Sequence, residues 1–144
     1  SGSRYLPPCL DSHAPLDLVV IMLGTNDLKQ RFSLPPGDIA AGVGVLADIV
    51  QKSAYGPGGK APELLILIPP QVRKLSNFAE MFAGSVEKSL GFPSAYQAMA
   101  EEKGIPVLDI GGTVRFSDED GIHFEADQLD VLGRLVAGEV RGMI

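Results

Sequence analysis

Two short stretches hold residue types that could act on a carbonyl group. The first is Gly24-Thr25-Asn26-Asp27. A carbonyl under nucleophilic attack gathers negative charge on its oxygen. A fixed neutral N–H donor stabilises that charge, and one such donor is worth roughly 10²–10³ in rate. Asn26 carries such a donor, and Gly24 permits a sharp turn in front of it. Read without chemistry, the same four residues are a turn capped by Asn and Asp. The second stretch is Asp120-Gly121-Ile122-His123. A carboxylate three residues before a histidine can curl back to the imidazole Nδ1–H. It then fixes the tautomer and leaves Nε2 free as a general base. The plain alternative is a solvated loop, because Ser117, Asp118, Glu119 and Asp120 make a polar run.

The elements that must position these residues can be read from periodicity. Residues 16–23 (LDLVVIML) form a short apolar run rich in β-branched residues, which predicts a parallel-type strand covered on both faces. Residues 64–68 (LLILI) read the same way, and residues 106–110 (PVLDI) are a third, shorter candidate. Helical stripes lie between them. Ile39, Val43, Leu46 and Val50 predict a helix over residues 38–52, entered through Pro35, Pro36 and Gly37. Phe78, Phe82 and Val86 predict one over 78–90, broken at Gly91 and Pro93 and followed by a piece ending near Lys103 and Gly104. Leu129, Leu132, Val136 and Val140 predict a C-terminal helix. Ser1-Gly2-Ser3 reads as loop-like.

Alternation of this kind predicts an α/β fold with a parallel sheet and helices on both faces. Ligands of such sheets bind beyond the carboxyl ends of the strands. Asn26 follows the first strand, and Asp120 and His123 follow the last, so both stretches should meet at one sheet edge. The pair is therefore a stronger signal than either part. His13 precedes a strand and should lie at the opposite edge.

Composition narrows the function classes. The 144 residues suit one domain spanning 1–144. A formal charge of −6 argues against a nucleic-acid partner, which needs a basic face, and against an anionic membrane surface. The single cysteine, Cys9, cannot form an internal disulfide, and it reads as an ordinary thiol. No signal-peptide pattern or membrane-length apolar run is visible, so a cytoplasmic location is the expectation. Gly58-Gly59-Lys60 lacks the spacing of a phosphate loop. Asp118, Glu119, Asp120 and His123 lack a second histidine at ligand spacing, so no metal and no cofactor is expected.

The Gly-x-Asn-Asp and Asp-x-x-His blocks resemble the third and fifth blocks of the SGNH (GDSL-like) hydrolase family. Tyr5-Leu6-Pro7, the run LDLVVIMLGTND, Met81-Phe82, Glu87-Lys88-Ser89 and DGIHF are similar to its bacterial arylesterase and acyltransferase branch. The resemblance implies a flavodoxin-like, three-layer α/β/α fold and a metal-free acyl-enzyme mechanism on small short-acyl esters. Asn26 would be an oxyanion-hole donor supported by Gly24, Thr25 and Asp27. His123 would be the base and Asp120 its orienting acid. The resemblance also implies a homo-oligomer.

One departure matters. The family opens with Gly-Asp-Ser at the end of its first strand, and a second block supplies a glycine N–H; neither block is in this sequence. Asp11-Ser12 is the nearest look-alike, but Leu10 stands in the place of Gly and no strand precedes it. The first strand is therefore expected to be missing from this chain. An N-terminal segment carrying the nucleophilic serine is the expected partner, and the chain alone should be poorly stable. The alternatives are a non-catalytic remnant serving as a binding or assembly subunit, and a carbohydrate acetyl esterase or thioesterase.

Overall fold

The computed structural model describes residues 2–144. Three parallel strands form one sheet in the order β1 (Leu18–Ile21), β2 (Glu63–Ile68), β3 (Val107–Asp109). β1 pairs with β2 from Leu18 opposite Glu63 to Ile21 opposite Ile66, and β2 pairs with β3 from Ile66 opposite Val107 to Ile68 opposite Asp109. The helices are α1 (Gly2–His13), α2 (Pro36–Gln51), α3 (Ser85–Ser89), α4 (Phe92–Lys103) and α5 (Ala126–Val140). The α/β class and the helices α2, α4 and α5 are those the periodicity predicts.

β2 is the central strand, and its side chains alternate between two cores, as a pleated strand requires. Leu64, Ile66 and Ile68 pack with Ile39, Val43 and Val50 of α2 and with Phe92 and Tyr96 of α4. Leu65 and Leu67 point the other way, to Ile110, Val114 and α5. The second core is thinner. Val131, Leu132, Leu135, Val136 and Val140 of α5 are only partly buried against it, and no residue of α5 is fully buried.

Three expectations are corrected. Residues 16–23 do not form a strand covered on both faces: β1 spans four residues at the sheet edge, and Val20 in its middle is 40% exposed. Among the described residues no strand pairs with its outer edge, so an apolar pattern built for burial stands partly open. The amino-terminal stretch is helical from Gly2, despite Pro7 and Pro8, because Leu6 and Leu10 lie one turn apart and pack into the α2 core. Ser1 lies outside the described residues. The stripe over residues 78–90 becomes a run of turns followed by the short α3. Gly84, at φ 77°, takes a left-handed conformation that no helix can continue through. Phe82 is nevertheless buried and Phe78 packs against the same core, so the spacing reported burial correctly and helicity wrongly.

The break between the two following helices holds: α3 ends at Ser89 and α4 starts at Phe92, with Gly104 at φ 62° closing α4. No helix among the described residues is long and apolar enough to cross a membrane.

Candidate active site

The carboxyl ends of β1 and β2 and the loop after β3 open onto a cleft of about 250 Å3. Gly24, Thr25, Asn26 and Asp27 line one side and Ile122, His123 and Phe124 line the other, with Pro69 between them. The structure thus brings together the two stretches singled out in the sequence. His13 ends α1 ahead of β1 and does not line the cleft.

The Gly24 turn is built by exclusion. Gly24 adopts φ 128°, a region that side-chain-bearing residues rarely enter, and a Cβ there would sit 2.0 Å from the Tyr96 hydroxyl oxygen. That hydroxyl donates to the Leu23 carbonyl at 2.6 Å. Tyr96 is fully buried, and burial pushes its hydroxyl pKa up, with the charge of Asp27 adding to the effect. It therefore stays protonated and remains a donor. The chain then enters a 3-10 turn over Thr25–Leu28, closed by the Asp27 N–H donating to the Gly24 carbonyl at 3.0 Å and anchored by the buried Leu28. Asn26 is exposed on this turn, and no hydrogen bond among the described residues engages its side-chain amide. Its donor is free for a ligand.

Gly24→Ala tests this construction. Strain at the positive φ and the clash with Tyr96 together should cost about 2–5 kcal/mol. The urea midpoint should fall with an unchanged slope. In a Tyr96→Phe background the added loss should be smaller, because the clashing oxygen is gone.

The Asp120–His123 pair is formed. Asp120 Oδ2 lies 2.6 Å from His123 Nδ1, while Asp120 Oδ1 accepts the backbone N–H groups of Ile122 and His123, each at 3.0 Å. One carboxylate thus shapes the turn and orients the ring. The histidine side chain is 67% exposed and the aspartate 24%, so the ring faces the cleft from a held carboxylate. Burial pushes the Asp120 carboxyl up. The Ile122 N–H, the His123 ring and the His123 N–H outweigh it, so the pKa lies below its ordinary value of 3.8. The sign of the linkage follows. A depressed carboxylate contributes stability above its unfolded value and loses it as pH falls through the folded value. The stability advantage of the native protein over Asp120→Asn should therefore be present above about pH 4. It should shrink on further acidification, as read from urea midpoints across pH.

Sequence reading had missed several contacts. The Phe78 ring packs edge-on against the His123 imidazole, with centroids 6.0 Å apart. Phe116 and Phe124, 4.8 Å apart, give the cleft an apolar wall. Tyr96 was not singled out in the sequence, because its hydroxyl partner, the Leu23 carbonyl, lies 73 residues away. Ser12 does not line the cleft. Its Oγ donates to the Cys9 carbonyl at 2.9 Å and lies 3.0 Å from His13 Nδ1, which also reaches that carbonyl, so both side chains finish their own helix. A larger cleft of about 430 Å3 between α2 and the start of α1 contains Asp27 and Asp38 but neither histidine, so the Asp120–His123 pair is not there.

The chain matches no protein-family model and no curated protein sequence. Solved structures do resemble it. A carbohydrate acetylesterase from Sinorhizobium meliloti superimposes with a TM-score of 0.94 at 38% identity over 100% of this chain and 69% of its own. The aryl esterase of M. smegmatis gives 0.94 at 39% identity over the same shares, 100% and 69%. A carbohydrate acetylesterase family member from S. meliloti gives 0.92 at 36%, over 99% of this chain and 68% of its own. These solved structures are esterases that share the parallel α/β fold over the whole of this chain. The chain belongs to the SGNH (GDSL-like) hydrolase family, among its esterases.

Proposed function

We propose that this protein is a serine ester hydrolase or acyltransferase working through an acyl-enzyme on small, short-acyl esters. The nucleophilic serine lies on a segment outside these 144 residues. The observation that carries the reading is the 2.6 Å Asp120–His123 contact facing the unengaged Asn26 amide across one cleft. No serine lines that cleft among the described residues. The open edge of β1 supports the position of the missing group. A parallel strand added there would end beside Gly24, and its last residue would stand next to Asn26.

In this mechanism His123 Nε2 takes the serine proton as the serine oxygen attacks the ester carbonyl. Asp120 holds the ring and balances its positive charge. Asn26 donates to the oxyanion. The intermediate collapses, the alcohol leaves with the proton from His123, and an acyl-serine remains. Water, or an alcohol in the transferase reaction, gives its proton to His123 and attacks the acyl-serine. The acid or new ester departs, and the serine recovers its proton.

The neighbours are a carbohydrate acetylesterase and an aryl esterase, so acetate esters of sugars and of phenols are the first substrates to compare. Turnover of the protein at its full natural length should be fastest on acetates and should fall as the acyl chain lengthens. An absence of turnover on every acetate ester tried would turn the reading to a non-catalytic subunit.

A further inference from the structure

Residues 71–82, after β2, touch both halves of the site. At the first end, the Arg73 N–H donates to the Gly121 carbonyl at 2.9 Å. The Arg73 guanidinium donates through Nε at 2.8 Å and Nη2 at 2.5 Å to one oxygen of Asp118. Ser76 Oγ donates to the Glu119 carbonyl at 2.5 Å. These four bonds hold the Asp118 side chain and the backbone of Glu119 and Gly121, the residues on either side of Asp120. Gly121 is the point of closest approach. Its φ is +82°, and a Cβ there would meet the carbonyl oxygens of Arg73 and Lys74 at 2.8 Å. At the other end, the Met81 carbonyl accepts the Gln30 N–H at 2.8 Å, and the Lys29 ammonium lies 5.7 Å from the centre of the Phe82 ring. Both partners directly follow the Asn26 turn. Between the two ends, Phe78 rests on the His123 ring and on Phe82.

We propose that residues 71–82 are a brace that fixes the distance between the Asn26 turn and the Asp120–His123 turn, with Arg73 and Ser76 as positioning residues for His123. This rests on the reading of His123 as the base. The two turns belong to loops separated by about two thirds of the length of the chain, and no hydrogen bond joins them directly among the described residues. Something else must set their spacing, and this segment is bonded to both. The Arg73–Asp118 pair is exposed, with side chains 39% and 71% accessible, so it adds little to stability. Its effect should instead appear in geometry, to which catalysis is far more sensitive.

The test uses Arg73→Met with Ser76→Ala in the full-length protein, read by steady-state kinetics and by the downfield His123 Nδ1–H proton in NMR spectra. The expected result is a kcat lowered about tenfold with KM within about twofold. The imidazole proton should shift or broaden, and thermal stability should hardly change. Exchanging the pair as Arg73→Asp with Asp118→Arg should restore kcat relative to Arg73→Asp alone. An unmoved imidazole proton in the double variant overturns the brace. So does an unchanged kcat. Because the NMR signal needs no turnover, it decides the brace even if the unsubstituted protein proves inactive on esters, and that second result would count only against the esterase reading.

Discussion

His123→Ala should lower ester turnover by about 10⁴-fold or more, leaving KM for an acetate ester close to native. His123 is the only imidazole on the cleft, and its Nδ1 is already committed to Asp120 at 2.6 Å. No second imidazole lines the cleft among the described residues to replace it as base. The expected pattern is a loss in kcat, because the proton moves in the transition state and not in the ground state. A loss of less than about tenfold in stopped or continuous assays would remove His123 from the chemistry. The variant should fold normally, since the ring is largely exposed and the turn is held by the Asp120 bonds to backbone N–H groups.

Asn26→Ala should cost about 10²–10³ in kcat, again with little change in KM. The reason is differential. A neutral amide binds a ground-state carbonyl weakly, and it binds the charged oxygen of the tetrahedral intermediate strongly. The Asn26 amide has no competing partner among the described residues, so its removal leaves no buried group unsatisfied. Stability should stay within about 0.5 kcal/mol of native, as for other exposed substitutions. Kinetic loss without thermal loss separates an oxyanion donor from the plain turn-capping role that the same residue type could fill.

Much of this was legible in residue order. The apolar runs at residues 64–68 and 106–110 are strands, and the stripes at 38–52, up to Lys103, and beyond Leu129 are helices, because burial on one face imposes their period. The shared edge of Asn26, Asp120 and His123 also followed from order alone, since parallel strands bring the loops after them to one side. Three features escaped for physical reasons. The helix from Gly2 was hidden by two prolines, and its real determinant is the Leu6–Leu10 contact with α2, a tertiary effect. The turns over 77–84 carry a helical spacing of phenylalanines in a backbone that Gly84 bends out of helix. Tyr96, Arg73 and Ser76 act through partners 73, 45 and 43 residues distant, and no local pattern encodes such contacts.

The central claim is that Asp120, His123 and Asn26 serve a serine that arrives from outside these 144 residues. Treating the full-length protein with a serine-directed phosphonate ester, then mapping the adduct by peptide mass spectrometry, tests it directly. The account predicts a single adduct, on a serine beyond residues 1–144, that forms at the native rate only while His123 is present. An adduct on Ser12 or Cys9, or undiminished ester turnover with no serine labelled at all, would contradict it.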